Sequence, residues 1–434
     1  MPIMRAGRGN KAALIGTIVA TIAVTLIIIA VAITFHTPEK KIQHQIVHLY
    51  AIVDPQFERE MGTLLGPAIL PGNQIMALQN GKEIFPAMLK AIRAARYTID
   101  FETYIYWSGK TGDEFAKALM ERARAGVKVH LMLDWLGSEK MTPQLLNEMR
   151  DAGVEIERYH PLHWYSLGKL NNRTHRKVLI IDGQIGFTGG VGIADEWSGH
   201  AQDPDHWRDM HFQIEGPVVA QMQAAFLDNW IKTTGRVLTG ANYFPPLAPV
   251  GALKMHMFMS SPTGGSESMR LMYLMAITAA QRSIDIEAAY FIPDELMNRE
   301  LIKARSRGVR VRILLPDKHI DSETVRIATK RGWGELLKAG VEIHEYVPTM
   351  LHCKMLIFDH YMVSVGSTNF DMRSFELNDE ASLNVYDADF AKRMTEVFEA
   401  DLQASTPYDY QQWQQRPWLE KMAEVVLIPI RSQL

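Results

Sequence analysis

The longest apolar stretch of the chain runs from Ala12 to Phe35, uncharged throughout and softened only by Gly16, Thr17, Thr21, Thr25 and Thr34. At about 1.5 Å per helical residue its 24 residues match the roughly 30 Å hydrocarbon layer of a bilayer, so the pattern predicts one transmembrane helix over 12–35 after a tail at 1–11. Two alternatives compete. A cleaved leader is suggested by Ala30-Val31-Ala32, but leader h-regions run about 7–15 residues. A buried core helix would show a polar stripe, which is missing here. Arg5, Arg8 and Lys11 precede the run and Glu39, Lys40 and Lys41 follow it, a bias that leaves the N-terminus inside and the rest of the chain outside the cytoplasm.

Beyond a juxtamembrane segment at 36–75 the pattern changes. Helix-patterned stretches such as Glu114 to Ala125, with Phe115, Leu119 and Ala123 on one face, alternate with short β-rich runs such as Val127 to Leu133. That alternation predicts α/β lobes with mixed or parallel sheets. Four segments then recur in the same order, the mark of a duplication. Ala94 to Glu102 resembles Ala279 to Glu287, Ala125 to Leu133 resembles Arg307 to Leu315, Gly153 to Ile156 resembles Gly340 to Ile343, and His175 to Asp182 resembles His352 to Asp359. The Pro-rich Tyr243 to Pro249 reads as the linker, giving lobes at 76–242 and 250–434.

Composition narrows the class. With 434 residues, 47% hydrophobic, 22% charged and a net charge of −3, the chain is neither disordered nor collagenous, and it is long enough for two or three cores. Its one cysteine, Cys353, allows no intrachain disulfide and no thiolate zinc cluster. The slightly acidic balance offers no global field for a polyanion, so no nucleic-acid partner is expected.

The candidate chemistry sits in the last repeat. Each copy carries H-x-K-x4-D: His175, Lys177 and Asp182, then His352, Lys354 and Asp359. One such match is weak, but two at equivalent places in a duplicated lobe are a strong signal. Along a β-run, His175 and Lys177 share a face, as do His352 and Lys354. An imidazole beside an ammonium suits phosphoryl chemistry: neutral histidine attacks phosphorus or shuttles protons, and lysine neutralises the non-bridging oxygens. Two pairs facing across a pseudo-twofold axis would supply a nucleophile and a general acid. Asp182 and Asp359, at an odd offset from their histidines, point off that face and read as structural or supporting members of the set. Tight turns follow both motifs, at Gly189-Gly190 and Gly366-Ser367.

The two motifs, Gly366-Ser367-Thr368-Asn369, Arg373-Ser374 and Asn378-Asp379-Glu380 resemble the phospholipase D superfamily, most closely the bacterial cardiolipin synthases, over about residues 80–434. The resemblance implies a duplicated phospholipase D-like two-lobe α/β sandwich, no cofactor, no metal, and a covalent phosphohistidine intermediate. It implies that Ser367 and Asn369 contact phosphate, that Glu380 orients His352, and that Asp209 in Trp207-Arg208-Asp209-Met210-His211 is the matching acid of the first lobe. Gly192 stands where the motif usually has asparagine. The implied activity is a membrane-anchored phosphatidyl transfer from phosphatidylglycerol, with phospholipid substrates and the membrane as partners. A hydrolytic phospholipase D, a phosphodiester nuclease and a membrane-tethered lipid-binding protein are the alternatives. Nothing in the residues sets an oligomeric state.

Other features read blandly. Cys353 alternates away from His352 and Lys354, a buried inert thiol. Ser108-Gly109-Lys110-Thr111 imitates the end of a P-loop, but Tyr104 replaces its first glycine. Thirteen residues separate Pro161 from His175 and three separate Pro348 from His352, so the first lobe carries a ten-residue insertion with Trp164 and Tyr165, expected to border the site as a lipid-facing loop.

Overall fold

The computed structural model describes residues 8–34, 42, 46–160, 171–262 and 268–427. The insertion with Trp164 and Tyr165 lies outside the described residues. The apolar N-terminal run forms a helix, α1 (Arg8–Thr34), whose described side chains from Leu14 to Ile29 are exposed. Among the described residues no helix is long and apolar enough to cross a membrane.

The first lobe contributes β1 (Leu70–Gln79), β2 (Thr98–Thr103), β3 (Lys128–Asp134), β4 (Glu155–Tyr159), β5 (Arg173–Thr174), β6 (Val178–Ile181), β7 (Ile185–Gly189) and β8 (Met210–Glu215). The second contributes β9 (Leu253–Ser260), β10 (Ser283–Ala288), β11 (Phe291–Ile292), β12 (Arg310–Pro316), β13 (Glu342–Tyr346), β14 (Lys354–Phe358), β15 (Met362–Gly366), β16 (Phe370–Asp371), β17 (Asn378–Tyr386) and β18 (Ser405–Tyr408). The order β1-β8-β7-β6-β2-β3-β4 in one half is repeated as β9-β17-β15-β14-β10-β12-β13 in the other. The halves join where β1 runs antiparallel to β9, Leu70 opposite Met255, making one 16-stranded sheet in which β5 pairs with β17 off the main path. The segment assigned to the juxtamembrane region thus supplies the start of the first lobe's strand β1.

Three cores fill the molecule. Along β6, Leu179 and Ile181 face an outer core with Phe115 and Leu119, while Val178 and Ile180 face a central one. The second lobe repeats this: Leu356 and Phe358 face its own outer core, and Met355 and Ile357 face the central one. Strands buried on both faces read as unbroken apolar runs, which is why Lys177 to Ile181 shows no alternation in the sequence. The central core also takes Phe226 and Trp230 from the helix Val219–Thr234 and Phe390 and Phe398 from the helix Ala388–Gln403. The result is helices, sheet, helices, sheet, helices, with the two halves of the sheet continuous through β1 and β9.

Candidate active site

Each motif ends a buried approach to a central strand. His175 to Lys177 lead into β6, and His352 to Lys354 lead into β14. The extended backbone puts successive side chains on opposite sides. His175, Lys177 and His352 therefore line one cavity of about 610 Å³, while Arg176 and Cys353 turn away into the protein, both fully buried.

Backbone pairing between the lobes places the histidines. β5 runs parallel to the start of β17, Arg173 opposite Asn378, and His175 N–H donates to Asp379 O at 2.9 Å. The mirror contact pairs Arg208 with Leu351, and His352 N–H donates to Arg208 O at 2.8 Å. Each histidine is thereby laid against the acid-bearing strand of the other lobe. Glu380 holds His175, its Oε1 3.0 Å and Oε2 3.1 Å from Nδ1. Asp209 holds His352, with Oδ2 2.7 Å from Nδ1. The expected pairing of Glu380 with His352 and of Asp209 with the first-lobe histidine is thus corrected: the acids are exchanged across the interface. In both imidazoles the carboxylate takes Nδ1; this turns Nε2 of His175 to the chemistry, while Nε2 of His352 has Lys354 Nζ 3.1 Å away.

A second donor fixes each acid, and here the lobes differ. Ser367 Oγ donates to Glu380 Oε2 at 2.5 Å and accepts from Ala381 N–H at 3.0 Å, with Asn378 Nδ2 3.2 Å from Glu380 Oε1. Ser367 is thus committed to the carboxylate and does not line the cavity, contrary to its expected contact with phosphate. At the equivalent position in the first lobe, Gly190, a Cβ would lie 2.2 Å from Asp209 Oδ1, so no side chain fits. The missing donor comes from Trp197, whose Nε1–H donates to Asp209 Oδ2 at 2.8 Å. The same indole explains the missing asparagine: a Cβ at Gly192 would sit 2.9 Å from Ile105 Cβ and 3.1 Å from the Trp197 ring. Asn369, its second-lobe counterpart, does line the cavity, and its Oδ1 has no hydrogen-bond partner among the described residues.

The burial that builds the site also sets its charge states. Burial, opposed by Glu380 and reinforced by Lys177, lowers His175 to about 4. Burial and the neighbouring Lys354 lower His352 to about 3 against the pull of Asp209. Burial and then Lys354 bring Lys177 down to about 7, and burial lowers Lys354 too. For Glu380 and Asp209 burial pushes upward, but the facing histidine and nearby lysine outweigh it and hold both carboxyls below their ordinary range. Both imidazoles are accordingly neutral near pH 7. Lys177 Nζ donates to His175 O at 2.9 Å and Lys354 Nζ to His352 O at 2.6 Å, so each ammonium is tethered beside its own histidine.

Asp182 and Asp359 stand at the far ends of β6 and β14. Asp182 accepts the backbone N–H groups of Arg96, Tyr97 and Thr98 at 2.9, 2.7 and 2.9 Å. Asp359 does the same for Gln281, Arg282 and Ser283. Their carboxylates clasp the start of the neighbouring strand, and the structure does not bring them into the cavity with the catalytic set in which they were placed.

Behind each motif lies a buried charged niche, filled differently in the two lobes. Arg176 reaches Asp228 at 2.9 Å and Asp379 at 3.6 Å. In the mirror niche Cys353 takes the motif position and the guanidinium comes from Arg208, 2.7 Å from Asp401. Cys353 is buried with its thiol pushed well up by burial, unable to act as a thiolate.

Several cavity residues had been given no role at the site by the sequence. Trp197 and Trp207 flank His352, with ring centroids 5.2 and 5.4 Å away, and Tyr104 stands 5.2 Å from His175. Arg173, Arg373 and Lys140 add positive charge to the walls. The absent side chains at Gly190 and Gly192 were the available signal that a bulky donor fills their space.

The family model described as "Cardiolipin synthase, PLD-like domain" matches residues 88–230 and 273–402. The cardiolipin synthase of Geobacillus sp. (strain WCH70) is 38% identical over 352 residues, covering 80% of this chain and 70% of that one. The major cardiolipin synthase ClsA of Bacillus subtilis (strain 168) is 34% identical over 357 residues, covering 82% and 74%. The crystal structure of the phosphatidylserine synthase of Haemophilus influenzae Rd KW20 shares the fold at a TM-score of 0.67 and 13% identity, over 87% of this chain and 98% of that one. With a family model across both lobes and relatives of this identity over most of their length, the chain belongs to the bacterial cardiolipin synthase-like enzymes of the phospholipase D superfamily.

Proposed function

We propose that the chain is a phosphatidyl transferase that makes cardiolipin from phosphatidylglycerol and a second phospholipid through a phosphohistidine. The observation that carries this reading is the exchange of acids: two histidines from different lobes open on one cavity, each with Nδ1 held by a carboxylate of the opposite lobe.

His175 Nε2 attacks phosphorus, the bond to the leaving glycerol oxygen breaks, and His352 gives that oxygen its proton. An acceptor hydroxyl then loses its proton to His352 and attacks phosphorus, and the P–N bond to His175 breaks. His352 is neutral beside Lys354, and an entering phosphodiester anion favours its cationic form. Lys177, Lys354 and Asn369 hold the non-bridging oxygens, and Arg173 and Arg373 provide charge for a second lipid phosphate.

The apolar, exposed α1 serves as the membrane anchor. Arg5, Arg8 and Lys11 keep its N-terminal end in the cytoplasm and the lobes outside it. Expression in a host lacking cardiolipin tests the function. Cardiolipin in the lipid extract, absent with His175→Ala, supports transfer. Phosphatidic acid alone would assign a hydrolase, and cleavage of nucleic acid a nuclease. Acid-labile labelling lost in His352→Ala but kept in His175→Ala would reverse the two roles.

A further inference from the structure

The helix Trp418–Val426 is built inside out. Trp418, Leu419, Met422, Val425 and Val426 fall at i, i+1, i+4, i+7 and i+8, one face of a helix. That face is turned outward: Trp418 is 66% exposed and Val426 73%. The face against the protein is the acidic one. Glu424, 3% exposed, accepts from Arg416 at 2.6 and 2.8 Å, and Glu420 lies 3.8 Å from Lys330. A short helix gains its stability mainly by burying an apolar face, so this arrangement calls for a second apolar medium.

Its position says which medium. Leu427, just past the helix, packs against the cluster of Ile292, Val325 and Ala328, as does Tyr290, and both Tyr290 and Val325 line the catalytic cavity. Ile42 is tied to the same corner. Arg270 Nη1 donates to Ile42 O at 3.3 Å and its Nε to Asp294 Oδ2 at 2.5 Å, two residues past Ile292. Ile42, the apolar face and the cavity wall therefore converge on one corner of the second lobe.

We propose that the helix Trp418–Val426 lies in the bilayer interface, with its apolar face at the depth of the upper acyl chains, and presses the cavity against the lipid surface. This rests on the reading of the chain as a phospholipid transferase anchored by α1. A tryptophan opening an outward apolar helical face suits the headgroup level, where its amphipathic ring finds an oily side and a wet one.

The test uses the full chain reconstituted in vesicles of phosphatidylglycerol and phosphatidylethanolamine, with an environment-sensitive fluorophore on Met422→Cys. Buried Cys353 stays unlabelled. The expected result is emission quenched by nitroxides on the acyl chains and shielded from aqueous iodide. Quenching by iodide with no effect of the nitroxides overturns the proposal. So does shielding that grows with protein density while the nitroxides have no effect, which would give the face to a second copy. In parallel, Leu419→Ser/Met422→Ser/Val425→Ser should lower turnover of bilayer phosphatidylglycerol by roughly tenfold and spare a short-chain soluble phosphatidylglycerol. Equal loss on both substrates, or no loss on either, counts against the helix. Failure of the parent chain on both substrates would reject the transferase reading, while the depth of the fluorophore would still decide the proposal.

Discussion

Glu380 reaches Nδ1 of His175 at 3.0 Å across the lobe interface, from a residue 205 positions later in the chain. Its neighbours at β17 and β5 pair by backbone, so the acid and the histidine are registered by a strand contact and not by side-chain reach alone. Replacing Glu380 with Gln keeps the shape and removes the charge that fixes the ring. By analogy with acids that orient a catalytic histidine, kcat should fall roughly 10²–10⁴-fold with KM little changed. A loss confined to KM would show that Glu380 acts on substrate instead.

Lys177 gives the pH dependence its alkaline side. Its ammonium is held to about 7 by burial and Lys354, so it is charged below that pH and neutral above. If the charge is needed on the phosphoryl oxygens, kcat/KM falls as pH rises through about 7. On the acid side it falls when His175 takes a proton near 4, which removes the nucleophile. Lys177→Arg keeps the cation at all these pH values and should move the alkaline limb upward. An unmoved limb would assign it to another group.

Asp182 separates folding from chemistry. Its carboxylate accepts three backbone N–H groups, and Asp182→Ala would strand them at the mouth of β2. The expected loss is about 1–3 kcal/mol of stability, read in a denaturant midpoint. Activity per folded molecule should stay near that of the parent. A loss of kcat at full folding would return Asp182 to the reacting set.

Ser367 and Trp197 are expected to be equivalent in effect although unlike in chemistry. Ser367→Ala removes the hydroxyl from Glu380, and Trp197→Phe removes the indole N–H from Asp209. Each leaves a buried carboxylate short of a donor, so kcat should drop about tenfold, the size of one charged hydrogen bond. KM should hold. A rise in KM in Ser367→Ala would give that serine back its contact with phosphate.

Much of this was legible in the chain. Repeats ending in His175 to Asp182 and His352 to Asp359 give the two lobes and the residues at the cavity, because local strand patterns repeat wherever the fold repeats. The partner of each histidine was not legible. Glu380 follows His352 in the same repeat, and only the parallel contact of β5 with β17 shows that it serves His175. Ser367 was misread for a similar reason: a hydroxyl after a glycine turn suits an anion, but the buried carboxylate behind it claims the proton first. Trp197 was invisible because its role is defined by what Gly190 and Gly192 lack.

The two niches behind the motifs decide which halves can join. The first lobe brings arginines at both places, Arg176 and Arg208, and the second brings Cys353 and Asp379. Two first lobes placed together would set Arg176 of one against Arg208 of the other, two buried guanidiniums facing each other. Two second lobes would set Cys353 against Asp379 with no cation between them. Unlike halves set each first-lobe arginine opposite a second-lobe partner, Arg176 opposite Asp379 and Arg208 opposite Cys353, so the two copies present complementary faces at this seam instead of identical ones.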